Sequence, residues 1–442
     1  MRILLLQSPT ATETSHACQS PPLGIAYVAQ ALLDEGHDVE IVDLNVTGLN
    51  PSRLAVTLER KRPHLVGISA HTETYPNALR LARIVKEHDV GVPVILGGPH
   101  ASILPLEVLS EPDIDYVAVG EGEQTAAELV RAIGSGSLPV GLLAIDGLGH
   151  KVDGTPTLNA PRQPLDAARI GLPARHLLSL EFYEDSRNIL VARGGCPYRC
   201  PFCSASYLWG GRRRLRPVEH VLDEVEQVID DYGPGHVFFV DDILTLNRPW
   251  LEELMRGLER FRGLITWGCA TRVDRVDEEL LGKMADSGCT GIQFGIESGA
   301  QEILDSVKGI DKATALAAVE ASVANGIATS CSFMIPFPDD TEETLAETSQ
   351  FMGRLHEAGG RLLISYTTPF PGTKFYEDSA ELGLDILTDD YSLYDAKHVV
   401  MRTRNLSAER IEEIATEIAD GLGMASTTQA DHRRVDSRVS VL

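Results

Sequence analysis

Short apolar runs alternate with amphipathic stretches along most of this chain. In the first third, residues 2–7 (RILLLQ), 39–43, 64–70 (HLVGISA), 92–98 (VPVILGG) and 116–119 (YVAV) read as strands. Between them, residues 24–35, 78–87 and the stretch running on from Gly122 to Ala132 space their apolar residues as helices do, and Gly36 closes the first. Strands of this kind separated by helices predict a doubly wound parallel sheet. Ligands bind such sheets outside the carboxyl ends of the strands. Those ends carry Gln7-Ser8-Pro9, Asp43, Ser69-Ala70-His71-Thr72, Gly97-Gly98-Pro99-His100 and Gly120-Glu121-Gly122-Glu123. Glycines there allow close backbone approach to a large flat ligand.

Alternation resumes after residue 186. Strand patterns at 188–192, 236–240, 264–272, 291–298, 329–335 and 361–367 are separated by helical ones at 217–232, 249–261, 278–287, 313–325 and 342–356. Six strands in βα order predict a partial (β/α) barrel with its chemistry at the carboxyl ends. Residues 136–185 hold Gly, Pro and short apolar pieces, which reads as a linker with a small hairpin. The expected organisation is a first domain at 1–140, a linker at 141–185, a barrel at 186–375 and a short helical region at 376–442. The last is expected to cover the barrel mouth and to end in a disordered polar tail from residue 426.

A formal charge of −25 argues against nucleic acid or an anionic membrane as partner. No apolar run reaches the roughly 18 residues of a membrane span. Seven cysteines, an odd number, with no secretory signal point to a reducing cytoplasm rather than to disulfides. No GxGxxG follows the first strand and no GxxxxGK[ST] occurs, so neither a dinucleotide site nor a P-loop is supported. The basic run Gly211-Arg212-Arg213-Arg214-Leu215-Arg216 is either a solvated loop or a source of charge for carboxylates or phosphates near a site.

The most specific chemistry follows the strand at 188–192. Gly194-Gly195-Cys196-Pro197-Tyr198-Arg199-Cys200-Pro201-Phe202-Cys203 is a CxxxCxxC cluster. Three thiolates on one loop can hold three irons of a cubane, leaving one iron open to a substrate or cofactor. A zinc site would need a fourth ligand from farther away, with His220 and His236 the nearest histidines. Cys269, Cys289 and Cys331 lie on or beside strands, where core packing is the default for a free cysteine.

CxxxCxxC with an aromatic before the last cysteine resembles the cluster loop of the radical S-adenosylmethionine (SAM) superfamily. The resemblance implies a [4Fe-4S] cluster on Cys196, Cys200 and Cys203, whose open iron chelates SAM. One electron from the cluster then cleaves SAM to methionine and a 5′-deoxyadenosyl radical. It also implies a SAM site at successive strand ends. Asp241 and Asp242 would take the ammonium, Arg272 the carboxylate and Glu297 the ribose, with Phe202 facing the adenine. Phe333-Met334-Ile335-Pro336 has proline where the family commonly has glycine. Tyr366 and Cys331 are the candidates for catalytic roles, Cys331 as a radical-quenching thiol.

The segments Pro21-Pro22-Leu23-Gly24, Gly97-Gly98-Pro99-His100-Ala101 and Val119-Gly120-Glu121-Gly122-Glu123 resemble the cobalamin-binding domain ahead of many radical SAM cores. By that resemblance Ser69, Gly97, Gly98, Pro99, His100, Gly120 and Glu121 would contact cobalamin, with Cys18 and His71 nearby. The DxHxxG motif that supplies a cobalt-binding histidine is absent, so no protein histidine is expected on cobalt. The combined resemblance is to cobalamin-dependent (class B) radical SAM methyltransferases. It implies C-methylation of a small metabolite or natural-product intermediate, with an electron donor such as flavodoxin or ferredoxin. The alternatives are a radical rearrangement, dehydration, epimerisation or ring contraction, with cobalamin auxiliary or absent. A non-catalytic iron–sulfur or zinc protein stands further off.

Overall fold

The computed structural model describes residues 1–10, 20–137, 139–183 and 186–424. Cys18 and the polar tail from residue 426 lie outside them. The chain divides into two compact units, Met1–Ser186 with Asp390–Ser392, and Arg187–Asp389 with Leu393–Leu442. No helix among the described residues is long and apolar enough to cross a membrane.

The first unit is built on five parallel strands, β1 (Arg2–Gln7), β2 (Asp38–Asp43), β3 (Leu65–Ser69), β4 (Val94–Gly97) and β5 (Tyr116–Ala118). Their order is β2-β1-β3-β4-β5. The direction of winding reverses between β1 and β3, which places the ligand crevice of such a sheet at those two carboxyl ends. Leu4, Leu6, Val66, Ile68, Val94 and Leu96 fill one face of the sheet against Leu81, Ala82 and Val85 of the helix Tyr75–His88. That helix starts earlier than its apolar spacing predicts, because Pro76 suits a first helical turn. The helix Pro51–Lys61 has no counterpart in the sequence reading. It buries only Leu54 and Leu58, too sparse a stripe to signal itself, and the Asn50 side chain caps its start.

Residues 141–185 are not a free linker. The hairpin β6 (Leu148–Val152) and β7 (Thr155–Leu158) extends the first sheet, β6 running antiparallel to β5. Beyond the hairpin, Ala174 donates its amide to the Ala26 carbonyl over 3.0 Å.

In the second unit the apolar run at 188–192 breaks in two. β8 (Asn188–Leu190) joins the large sheet, whereas β9 (Ala192–Arg193) pairs antiparallel with β10 (Arg214–Leu215). The cysteine loop is thus held between the two arms of a small ribbon. β11 (Gly235–Val240), β12 (Ile265–Thr271), β13 (Cys289–Glu297), β14 (Ala328–Ile335) and β15 (Arg361–Tyr366) complete a six-stranded parallel sheet ordered β8-β11-β12-β13-β14-β15.

Burial alternates along these strands. Val237, Phe239, Trp267, Cys269, Ile292, Phe294, Cys331 and Phe333 are buried in the core that the helices cover. Their neighbours Phe238, Ala270, Gln293, Gly295, Ser330, Ser332 and Ser365 are half-buried on the opposite, inner face. The helix Ala408–Gly421 corrects an expectation. Its Ile411, Ile414, Ala415 and Ile418 belong to the helix-covered core, and Arg410 binds Glu342 at the start of the helix Glu342–Glu357. It packs on the outer layer rather than over the carboxyl ends of the strands.

Candidate functional site

At the carboxyl ends of the first sheet, the loops after β1 and β3 are stitched together. The Ser8 amide donates to Ser69 O (3.0 Å), Ser8 Oγ to Thr74 O (2.8 Å), and Asn77 Nδ2 to Pro9 O (3.1 Å). Ser69, Gly97, Gly98, Pro99, Gly120 and Glu121 stand half-buried along the ends of β3, β4 and β5. Their glycines do different work. Gly98 has φ +94°, and a Cβ there would lie 2.6 Å from Ala70 O, so the close approach it permits is to the β3 turn. Gly120 has φ +80°, a Cβ added there would meet no atom within 4 Å, and its amide is fixed by Ser102 Oγ at 2.9 Å. That open backbone fits one face of a flat ligand. Glu121 is engaged, since its carboxylate accepts from the Leu165 amide at 3.0 Å.

His100 departs from the expected ligand contact. Its side chain is fully enclosed, stacked on Tyr75 at 4.0 Å and met edge-on by Tyr391 at 4.9 Å. Nδ1 lies 3.3 Å from Thr72 Oγ1, and burial pushes the imidazole down to about 4, so it is neutral. His71 is exposed. At the end of β2, the Tyr183 hydroxyl donates to Asp43, whose carboxyl is raised by burial.

In the second unit the cysteine loop is seated by glycines. A Cβ on Gly194 would run into Arg212 O, and one on Gly195 into Ala205 O, so both positions admit nothing larger. The three thiols sense one another. Burial pushes Cys203 up to about 11, with Asp242, Cys200 and Cys196 adding to the effect. Burial also raises Cys200, while Lys308 and Arg272 draw it down. Iron binding to these sulfurs as thiolates has to displace their protons. No three His, Cys, Asp or Glu side chains among the described residues converge as they would around one metal ion. A cubane spreads its ligands over separate irons and does not need that convergence. The histidines weighed for a zinc site are elsewhere, His220 exposed on the helix Val218–Tyr232 and His236 at the start of β11 beside Thr266.

The expected SAM residues stand at successive strand ends, with partners that the sequence did not reveal. Asp241, just past β11, is gripped by Arg213 through both nitrogens of its fork, with both side chains almost wholly buried. Arg216 pairs with buried Glu224 and donates to Leu190 O at 2.7 Å. The basic run is therefore largely an internal source of charge rather than a solvated loop. Asp242 is open to solvent but flanked by protein, and desolvation, with the Asp241 charge second, pushes its carboxyl up to about 6. Arg272 lies over the Tyr198 ring at 4.0 Å and directs two nitrogens to Asp274 at 2.8 and 3.2 Å. Its Nη1 is buried with no hydrogen-bond partner among the described residues, which fits an anion arriving there.

Glu297 has φ +80°, at a register shift between β13 and β14 that follows Gly295. Its Oε1 accepts from Lys308 Nζ at 2.6 Å, and the Lys308 carbonyl accepts from Arg272 Nη2 at 3.2 Å. Lys308 thus ties two expected site residues together. As a lone lysine in a loop it carried no signal in the sequence. Tyr198 was also missed, although it sits inside the cysteine motif, where Arg275 Nε reaches its hydroxyl at 2.6 Å. Phe202 packs against Phe337 (5.7 Å) and Phe375 (6.3 Å).

Two residues expected to have catalytic roles lie away from the inner face. Cys331 is fully buried on the helix-covered face, with its Sγ near Gly360, and Tyr366 is buried in the same core. Neither is on the inner face, where Gln293 Nε2 bonds Ser332 Oγ at 3.2 Å. Cys269 and Cys289 are core residues, as expected.

Comparison with known proteins finds matches for both halves of the chain. The family model of the B12 binding domain matches residues 15–130, and that of the radical SAM superfamily matches residues 191–352. The chain is 33% identical over 423 residues to an uncharacterized methyltransferase of Pyrococcus horikoshii, covering 94% of this chain and 90% of that protein. It is 29% identical over 397 residues to an anaerobic magnesium-protoporphyrin IX monomethyl ester cyclase of Rubrivivax gelatinosus, covering 86% and 70%. In fold it is similar to the radical SAM methyltransferase TsrM of Kitasatospora setae, with a TM-score of 0.78 at 18% identity over 99% of this chain and 93% of that one. The cobalamin-dependent radical SAM enzyme OxsB gives a TM-score of 0.75 at 16% identity, over 95% and 67%.

Proposed function

Since this chain belongs to the radical SAM superfamily of enzymes and carries a B12 binding domain, we propose that it methylates an unactivated carbon of a small molecule, using cobalamin and a [4Fe-4S] cluster. The observation that carries this reading is the similarity, over nearly the whole of both chains, to a protein described as a methyltransferase. When bound, the cluster with SAM supplies a radical that removes a hydrogen atom, and cobalamin supplies the methyl group.

The residues of the chain have distinct parts in this scheme. Cys196, Cys200 and Cys203 hold the cluster. Asp242 presents a carboxylate for an ammonium, and Arg213 fixes Asp241 beside it. The buried, unpaired Nη1 of Arg272 receives a carboxylate. Glu297, oriented by Lys308, accepts hydroxyls through its remaining oxygen. Gln293 and the serines at 330, 332 and 365 offer neutral hydrogen-bonding groups to the substrate on the inner face. In the first unit, Ser69, Gly97, Gly98, Pro99, Gly120 and Glu121 border the cobalamin site. His100 supports it from within the core, which leaves no imidazole from that residue for cobalt.

The co-reactants are a small-molecule substrate and a one-electron donor such as flavodoxin or ferredoxin. The test is transfer of a labelled methyl group from SAM to candidate substrates by protein purified with its cobalamin. Label in the product supports the reading. Deoxyadenosine formed with substrate turnover but without label would replace it with a radical rearrangement or cyclisation, an outcome that the similarity to the cyclase keeps in view.

A further inference from the structure

Immediately beyond the third cluster cysteine, the helix Ser204–Trp209 turns two large aromatic side chains outward. Tyr207 is 39% and Trp209 36% exposed. Among the described residues of the second unit, the only other exposed large apolar side chains are Leu264 and Leu387. Pro197 and Arg199, inside the cysteine loop, and Arg212, on the returning chain, are exposed as well. Unlike Arg213 and Arg216, whose charges are directed inward onto Asp241 and Glu224, Arg199 and Arg212 have no ion-pair partner among the described residues. Burial raises the Tyr207 phenol above its ordinary value, with the nearby Arg199 working against that shift and Asp378 adding to it.

This patch lies against the cluster loop. The Trp209 Cβ would be 3.1 Å from a Cβ on Gly195, the residue before Cys196, and the Cys196 carbonyl 3.2 Å from one on Gly211. The contact with Arg212 O is what restricts Gly194 to glycine. A cationic, aromatic spot is unusual on a chain carrying a net charge of −25, and it adjoins the redox centre. Opposite charge around an aromatic centre is the arrangement that steers a protein partner and then holds it.

We propose that Pro197, Arg199, Tyr207, Trp209 and Arg212 form the docking surface for a small acidic protein that carries a one-electron centre of flavodoxin type. This rests on the cluster reading above. In the encounter the carrier is oxidised by one electron and the cluster is reduced by one, with no proton or group transferred. The two arginines steer the acidic carrier, and the two aromatics bring its exposed cofactor edge against the cluster loop.

The test uses the full chain with its cluster reconstituted and follows bleaching of the cluster absorbance by stopped flow. Flavodoxin hydroquinone is one reductant and dithionite the other. The double variant Arg199→Glu/Arg212→Glu should slow reduction by flavodoxin roughly tenfold or more at low salt, with the difference closing at high salt. Tyr207→Ser/Trp209→Ser should slow it at every salt concentration. Dithionite should reduce all three proteins equally. Flavodoxin rates that match the unsubstituted chain would overturn the proposal. So would an equal loss with dithionite, which would make these residues supports of the cluster loop, or an altered SAM or substrate affinity at unchanged rates. A chain with no reducible cluster under dithionite would instead remove the cluster reading itself, and the docking surface with it.

Discussion

Lys308 Nζ donates to Glu297 Oε1 over 2.6 Å, and each side chain is less than a tenth exposed. The glutamate takes part with φ at +80°, a backbone conformation that costs a non-glycine residue on the order of 1–3 kcal/mol. A strained backbone and a buried ion pair at one strand end mark the place where the fold gives up stability for position.

Removing one partner of that pair leaves the other charge buried alone. Lys308→Met is expected to destabilise the second unit by about 3–5 kcal/mol. Lys308→Met/Glu297→Gln should recover most of the loss, because no charge is then left unpaired. A double-mutant cycle by chemical unfolding measures this. Equal stability of Lys308→Met and the unsubstituted protein would show that the two charges are not coupled.

Gly295 lies beneath the same pair. A Cβ there would be 2.5 Å from Glu297 Oε1 and 2.6 Å from Lys308 Nζ. Gly295→Ala should push the carboxylate out of place and weaken SAM binding about tenfold, or roughly 1.4 kcal/mol. Iron content should not change. Titration calorimetry with the reconstituted protein checks the affinity, and full affinity would show that the pair yields without consequence for the ligand.

Anaerobic reconstitution should give about four irons and four sulfides per chain, the content of one cubane. Cys196→Ala, Cys200→Ala and Cys203→Ala should each lose most of that iron and all reductive cleavage of SAM. Iron analysis and deoxyadenosine measurement decide the matter. Full cleavage activity in any of the three would remove that cysteine from the cluster.

The enclosure of His100 makes the first unit sensitive to acid. Its folded value, about 4, lies below the ordinary 6.5 because burial disfavours the charged ring. The unfolded chain therefore binds the proton first. The contribution of this residue to stability is complete above pH 6.5 and declines as pH falls toward 4, by up to about 3 kcal/mol. Unfolding measured from pH 7 to pH 4 should show this slope, and His100→Phe should flatten it. An unchanged slope in the variant would assign the acid sensitivity to other groups.

Much of the fold was legible because parallel strands buried on both faces are continuous apolar runs, and glycine and proline punctuate them clearly. Which face of a strand meets the helices was harder to read. Ser330 and Ser332 flank Cys331 and Ser365 precedes Tyr366, so these strands do alternate, but the expectation for each residue came from its own chemistry and not from the phase of its neighbours. Cys331 and Tyr366 proved to lie under the helices, while Gln293 and Ser332 face inward. His100 looked like a ligand contact because it follows a glycine pair at a strand end. The Gly98 backbone instead packs on Ala70, and the next turn carries His100 into the core between Tyr75 and Tyr391, a partner some 290 residues away in sequence.

The sequence by itself determined the spacing of Cys196, Cys200 and Cys203, the two alternating α/β halves, and the strand ends that carry Asp241, Arg272 and Glu297. Each of these is local: a spacing within one loop, or a polar residue at the close of one apolar run. Tertiary structure alone decided the electrostatic partners, Arg213 for Asp241, Asp274 and Tyr198 for Arg272, and Lys308 for Glu297. A buried charge must be matched by whatever the folded chain brings within a few ångströms, and most of those groups arrive from segments whose own sequence gives no sign of the charge they will meet.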